Sequence, residues 1–350
     1  MEQIALNGKI FTEENADEIK HLDAEDLSLD TLAAISDFLK EWWNNEPFIK
    51  VNTSGSTGSP KMIRLAKKTV YASADKTIGY FGLNSETTGL LCLSCRYIAG
   101  KLMLVRAIRS GMNLIVAEPA TDVVQHITQK IHFAAMIPSQ VKSAIADTES
   151  RLLFSGIDQV LIGGGPVSSD LEKDLQGLSN GIFHSYGMTE TATHVALRKF
   201  SNKPGHYAAL PGVSFSLDER NCLVIEANHF QGKVITNDIV ELSDEFRFQW
   251  LGRADNAIIS GGLKFIPEVL ETKISPYISN PFYITGLPDA KLGERIILVI
   301  ESETWPDARI ENLYVELRRI LEGYEVPKEV RFLKEFPRTL TGKIKRTGTL

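Results

Sequence analysis

From Gly89 to Leu178 short apolar runs alternate with stretches whose apolar residues recur at helical spacing. The runs Gly89 to Leu93, Asn113 to Val116, Phe133 to Ile137 and Gln159 to Ile162 read as strands. Lys101 to Arg109, Val123 to Ile131 and Ser168 to Leu178 read as the intervening helices. Such alternation predicts an α/β domain. With 350 residues the chain is long enough for two or three domains and needs neither disulfides nor metals to hold a core. Its 43% hydrophobic and 23% charged residues exclude collagenous, disordered and low-complexity classes.

Upstream, Asp30 is the expected N-cap of a helix with Leu32, Ile35, Leu39 and Trp42 on one face, closed by Pro47. A short strand, Phe48 to Val51, then runs into a loop rich in Ser, Thr and Gly. After Gly252-Arg253-Ala254-Asp255 the texture changes. Pro267 to Ile274 and Asp307 to Leu321 carry helical patterns, and Phe282 to Leu287, Ile296 to Ile300 and Glu329 to Leu333 read as strands. These are too few to extend the large sheet. The expected division is therefore a large domain over 1–254 and a small α+β domain over 255–350, the latter roughly 95 residues and of ordinary domain size.

Thirty-eight basic against 44 acidic side chains give a net charge of −6, which disfavours bulk nucleic acid or an anionic membrane as a partner. Three cysteines, Cys92, Cys95 and Cys222, form no disulfide framework and point to a reducing compartment. The N-terminus has no basic region followed by an apolar core, and the stretch Ile274 to Pro288 is interrupted by Pro276, Asn280 and Pro281. The expectation is a soluble, cytoplasmic protein.

Four segments offer chemistry. In Ser54-Gly55-Ser56-Thr57-Gly58-Ser59-Pro60-Lys61, backbone amides, hydroxyls and an ammonium can surround phosphate oxygens, although the same residues suit a polar surface turn. The spacing is not that of a Walker A loop. Gly163-Gly164-Gly165-Pro166 ends a predicted strand and permits close approach to a flat ligand, or simply makes a tight turn. His184-Ser185-Tyr186-Gly187-Met188-Thr189-Glu190 offers a ring for stacking and a carboxylate for a hard cation, or is an ordinary loop. Between Lys328 and Arg346 seven basic residues face two acidic ones, a solvated tail by charge alone. The Cys92-Leu93-Ser94-Cys95 spacing has no second pair, and the seven histidines show neither HExxH nor a paired ligand spacing. No Gly-x-Ser-x-Gly elbow occurs, so zinc and serine hydrolases are excluded.

Taken in order with Thr236-Asn237-Asp238, Gly252 to Asp255 and Pro337 to Lys343, these segments resemble the adenylate-forming superfamily of acyl-CoA synthetases, luciferases and peptide-synthetase adenylation domains. The resemblance implies a large α/β domain with mixed sheets between helices and a small mobile C-terminal α+β domain. It assigns Thr53, Ser54, Gly55, Ser56, Thr57, Gly58 and Lys61 to the ATP phosphates. Gly163, Gly164, Gly165 and Pro166, with Ser185, Tyr186, Gly187 and Met188, fall to AMP, and Asp238 and Arg253 to the ribose. Thr189, Glu190 and Lys343 become catalytic, with Glu190 a ligand of Mg²⁺, and Asp255 becomes the hinge. The implied reaction joins a small-molecule carboxylate to ATP as an acyl adenylate and then to coenzyme A as a thioester. Lys343 and Mg²⁺ would offset the charge that develops as two anions meet.

Only 53 residues precede the phosphate loop, where members of this family usually carry well over a hundred, so a trimmed N-terminal subdomain is expected. The runs Arg96 to Gly100, Ile137 to Gln140 and Thr191 to His194 are most similar to the o-succinylbenzoate-CoA ligases of menaquinone biosynthesis. Arg96, Tyr97, Gln140 and His194 are the implied acyl pocket, polar enough for an acid with a second carboxylate. A ligase for another carboxylic acid and an enzyme loading a carrier protein share the nucleotide motifs. A non-catalytic relative is opposed by the joint presence of Lys61, Glu190, Asp238, Arg253 and Lys343. Monomer and homodimer both remain open.

Overall fold

Residues 2–22, 27–52, 62–201, 205–338 and 344–346 are described by a computed structural model. The chain divides into two units, Met1–Ser214 with Glu226–Val234, and Phe215–Ile225 with Ile235–Leu350. The expected boundary at 254/255 falls inside the second unit.

The first unit opens with a small hairpin, β1 (Ile4–Leu6) and β2 (Lys9–Phe11), followed by helix α1 (Leu29–Trp43). Ser28, not Asp30, caps α1: its hydroxyl accepts from the Thr31 amide at 3.1 Å. Asp30 is inside the helix and pairs with Arg96. Strands β3 (Phe48–Asn52) and β4 (Met62–Ala66) form an antiparallel pair in which Asn52 faces Met62. The Ser/Thr/Gly loop thus connects two neighbouring strands. Then come α2 (Lys67–Phe81), β5 (Thr88–Leu91), α3 (Ile98–Ser110), β6 (Asn113–Val116), β7 (Phe133–Met136), α4 (Pro138–Ala144), α5 (Thr148–Ser155), β8 (Gln159–Ile162), α6 (Ser169–Gln176), β9 (Gly181–Met188), β10 (Thr193–Lys199) and β11 (Tyr207–Ala209).

The main sheet of this unit runs β11-β10-β9-β8-β7-β5-β6-β1-β2. Its centre is parallel from β6 to β9, as the predicted alternation requires, and β10 and β11 turn antiparallel. Leu90, Ala134, Met136, Val160 and Ile162 pack in one core with Val141, Phe154, Leu171 and Leu175 from α4, α5 and α6. The helix expected over Val123 to Ile131 is only a 3-10 turn, Val123–His126, with Ile127 extended. Val123, Val124, Ile127 and Thr128 are β-branched, which weakens helix formation.

Around the second unit, strands β12 (Val213–Leu217), β13 (Cys222–Ala227), β14 (Lys233–Asp244) and β15 (Arg247–Arg253) follow one another in order, β14 and β15 antiparallel. A further sheet holds β16 (Ile258–Ser260), β17 (Leu263–Phe265), β18 (Phe282–Asp289), β19 (Gly293–Glu301) and β20 (Glu329–Leu333), with α7 (Pro267–Ile274) and α8 (Asp307–Ile320). Strand β19 explains its layering. Ile296, Leu298 and Ile300 join Leu270, Ile274, Leu313 and Leu317 of the two helices, whereas Ile297 and Val299 face Tyr283, Phe336 and Ile344.

Candidate active site

At the end of β8 the chain enters the glycine turn, and the Gly163 amide donates to Met136 O at 3.0 Å. Gly164 has φ +80°, a conformation suited to glycine. Across from it on β9, the Ser185 hydroxyl donates to Ile162 O at 2.9 Å, and the Tyr186 ring lies half-buried with its centroid 5.7 Å from that of Tyr207. The structure therefore brings Gly163, Gly164, Gly165 and Pro166 together with Ser185 and Tyr186 on adjacent strand ends.

Gly187 and Met188 complete β9, and Thr189 and Glu190 lie on the 3-10 turn Thr189–Thr191. The Thr191 hydroxyl folds back on Met188 O at 2.9 Å. The next two residues, Ala192 and Thr193, have φ of +50° and +93°, unusual for residues with a side chain. Strain of this kind concentrates at functional turns. Glu190 is exposed and makes no hydrogen bond or ion pair among the described residues. A lone free carboxylate suits Mg²⁺, which takes one or two protein carboxylates beside phosphates and water. No group of three or more His, Cys, Asp or Glu side chains forms a metal cage among the described residues.

The four acyl-pocket candidates separate. Arg96 is exposed and its Nε donates to Asp30 at 3.2 Å; Tyr97 is also exposed. Gln140 is buried, but its amide donates to Cys92 O and Ala120 O at 2.9 Å and accepts from the Ile137 amide at 3.1 Å. Its polar atoms are thus spent on backbone. His194 is different. It is buried, with Nε2 3.2 Å from the Thr77 hydroxyl, which itself donates to Ser73 O. Burial, with the positive charge of Arg106 and then His229, pushes its pKa down to about 3.

Arg106 was not among the expected site residues. It is 3% exposed; among the described residues its Nε has no partner and its guanidinium makes one hydrogen bond, from Nη1 to the Met103 sulfur at 3.5 Å. Burial alone pushes its pKa down to about 10. A buried guanidinium with no carboxylate is costly, and an anion entering beside it would recover that cost. A sequence signal existed: Leu102-Met103-Leu104-Val105 precede Arg106 and Ala107-Ile108 follow it, so the cation stands inside an apolar run of the helix.

In the second unit, Asp238 of β14 faces Arg253 of β15. Asp238 is 6% exposed and its Oδ1 accepts from Trp250 Nε1 at 3.2 Å and from Arg253 Nη1 at 3.4 Å. Arg253 Nη2 also donates to Asp255 at 2.8 Å, and Asn237 donates to Asp255 at 3.1 Å. The expected ribose pair and the expected hinge residue therefore share one hydrogen-bonded cluster. Gly252 is required for a separate reason: a Cβ there would lie 2.3 Å from Glu268 Oε2.

Thr53, Ser54, Gly55, Ser56, Thr57, Gly58, Lys61 and Lys343 lie outside the described residues. Next to Lys343, Arg338 and Ile344 form an antiparallel bridge and the Lys345 amide donates to Pro337 O at 2.8 Å. Arg338 pairs with Glu301 at 2.6 Å, and Arg346 with Glu271 at 2.8 Å.

The AMP-binding enzyme family model matches residues 10–228, more than half of the chain, and the chain belongs to that family. Within it, a probable 2-succinylbenzoate–CoA ligase of Mycobacterium tuberculosis is 26% identical over 320 residues, 85% of this chain and 82% of that one. The 2-succinylbenzoate–CoA ligase of Listeria monocytogenes is 26% identical over 94% of this chain and 78% of its own length. Among solved structures, an acyl-CoA synthetase (AMP-forming)/AMP-acid ligase II-like protein of Dyadobacter fermentans is 36% identical, with 92% of this chain and 94% of that one covered and a TM-score of 0.63. The o-succinylbenzoate CoA synthetase of Bacillus subtilis, in complex with its acyl-adenylate intermediate, shares the fold at a TM-score of 0.77 and 17% identity, covering 100% and 97% of the two chains.

Proposed function

We propose that the chain is an AMP-forming carboxylate–CoA ligase acting in the cytoplasm on an acid with a second carboxylate, o-succinylbenzoate in the first instance. The observation that carries the choice of acid is Arg106, a buried guanidinium without a carboxylate partner among the described residues, next to a neutral His194. A fatty acyl chain offers such a cation nothing; a second carboxylate offers it a charge-assisted bond. Arg106 and His194 thus replace Arg96, Tyr97 and Gln140 as the groups facing the acid's distal end. The names of the similar ligases point the same way.

The reaction follows from the assigned roles. A carboxylate oxygen attacks the α-phosphorus of ATP, the acyl–O–P bond forms, and the bond to the bridging oxygen breaks to release pyrophosphate. The CoA sulfur then attacks the acyl carbonyl, AMP leaves, and the thiol proton goes to solvent. Lys61 with Thr53 to Gly58 holds the phosphates, Tyr186 and the Gly163 to Pro166 turn hold the base, and Asp238 accepts from the ribose hydroxyls beside Arg253. Thr189 stands at the reacting phosphate and Lys343 meets the developing negative charge. Mg²⁺, when bound through Glu190, supplies a second positive charge there. Asp255 is the proposed pivot about which 255–350 turns between the two half-reactions. The cytoplasm supplies ATP and CoA and suits three buried free cysteines.

Mass-spectrometric analysis of products tests the proposal. Purified protein is incubated with Mg-ATP and o-succinylbenzoate, with and without CoA, beside benzoates and fatty acids. The expected result is an o-succinylbenzoyl adenylate that becomes its CoA thioester when CoA is added. Activation of a different acid would keep the ligase and remove the substrate; an adenylate that never reaches CoA would favour carrier loading.

A further inference from the structure

His184 is buried at 8% exposure, two residues before Tyr186. One ring nitrogen, Nε2, lies 3.1 Å from Gly165 O, and the other, Nδ1, lies 2.7 Å from the Tyr207 hydroxyl. A carbonyl oxygen only accepts, so Nε2 must carry the proton. In the neutral ring Nδ1 is then a bare acceptor and the Tyr207 hydroxyl donates to it. One neutral tautomer satisfies both bonds, and the chain of donors runs in a single direction, Tyr207 to His184 to Gly165.

The ring is held on its other sides as well. It stacks on Phe200 at 22° with centroids 6.1 Å apart. The Arg198 guanidinium covers Phe200 and Tyr207 at 5.0 and 5.7 Å and is itself held by both oxygens of Glu172 at 2.8 and 2.9 Å. The glycine turn lacks comparable restraint. It carries no side chain until Pro166, its first amide is tied to β7, and the Gly165 carbonyl is tied only to His184 among the described residues. A turn with so few anchors takes its backbone position from whichever groups hold its polar atoms.

We propose that His184, oriented by Tyr207, is a positioning residue that sets the Gly163 to Gly165 turn against the nucleotide base without touching the nucleotide. This rests on the assignment of that turn to the base. It predicts that purine affinity and purine choice depend on a histidine facing away from the ligand, whereas the chemical step does not.

The test is calorimetric binding of AMP, and the ratio of ATP to GTP use in pyrophosphate exchange, for the wild type, His184→Leu, His184→Gln and Tyr207→Phe. Losing a buried hydrogen bond weakens binding by about 10-fold, and that is the loss of AMP affinity expected for His184→Leu, with a lower ATP/GTP ratio. The exchange rate at saturating ATP should stay within about 3-fold of wild type, because only binding is altered. His184→Gln should restore AMP binding, since its amide nitrogen can donate to Gly165 O while its oxygen accepts from Tyr207. Tyr207→Phe should fall between. If His184→Leu does not fold, Gln and Tyr207→Phe still decide, joined by nitrogen NMR of the wild-type ring, where a proton on Nδ1 would overturn the proposal. AMP binding unchanged in His184→Leu, or lost without rescue by Gln, would overturn it too. Failure of the wild type itself to bind AMP would instead overturn the nucleotide assignment beneath it.

Discussion

In the first unit, Arg106 is buried with a methionine sulfur as its hydrogen-bond partner. In the second, Arg346 is also largely buried, its side chain 22% exposed, but it lies 2.8 Å from Glu271 and 3.6 Å from Glu268. The two arginines differ in what they lack. Arg346 has its counter-charges built into α7 and fastens residues 344–346 to that helix. Arg106 has none among the described residues, and an unbalanced cation inside a protein is costly. A buried charge that is fully paired holds two parts of the chain together, and one left unpaired is what the proposed contact with a second carboxylate rests on.

Four substitutions or conditions probe this contrast. The largest effect belongs to Lys343→Ala, since Lys343 is assigned to charge that exists only during adenylation. Pyrophosphate exchange should fall about 10²- to 10³-fold with ATP affinity little changed. A near wild-type rate would remove Lys343 from the mechanism. Next is Arg346→Met, which leaves Glu268 and Glu271 buried without their cation. Urea denaturation should show a loss of about 3 kcal/mol. The same exchange at Arg106 breaks the comparison if it behaves alike: Arg106→Met should leave the ligand-free protein as stable or more stable.

Arg106→Met should instead appear in the kinetics. Loss of a charge-assisted bond to the second carboxylate should lower kcat/KM for o-succinylbenzoate by about 100-fold, while any turnover of a simple benzoate is spared. Equal loss for both acids would mean that Arg106 only supports the fold.

The smallest effect is a pH dependence of stability. Burial holds His184 down at about 4, with Arg198 adding to it, and His194 at about 3, with Arg106 and His229 adding. Tyr207 and Gly165 face the first ring and Thr77 the second. In the unfolded chain both titrate near 6.5, so below that pH the unfolded state takes up protons that the folded state refuses. Stability is therefore full above about pH 6.5 and falls toward pH 4, each histidine contributing about 1.4 kcal/mol per pH unit. The slope in His194→Gln should be shallower than in wild type by one proton, as read from denaturation curves at a series of pH values.

Much of the fold was legible. Strands β6, β8 and β20 and helix α7 end where their apolar runs and turn residues say, because those signals are local. Departures occur where a distant partner decides. Ser28 rather than Asp30 starts α1, where Glu118, 90 residues away, accepts from the Ser28 amide and hydroxyl. The pairing of β3 with β4 was not foreseen, since Met62 to Ala66 is short and follows the glycine-rich loop directly.

The site divides in the same way. Sequence order alone determined the family, because the glycine turn, the Tyr186 to Glu190 segment, Asp238, Arg253 and the Lys343 loop are each a few adjacent residues with fixed spacing. Only tertiary structure decided which cations are paired with a carboxylate of the chain itself and which, among the described residues, are not. Arg96, conspicuous in sequence, is neutralised by Asp30 at the surface; Arg106, hidden in an apolar helix, meets no carboxylate among the described residues. The physical reason is that composition and spacing record a charge but not its surroundings. Desolvation and pairing, which determine what a charge can do, come from residues that folding brings in from elsewhere in the chain.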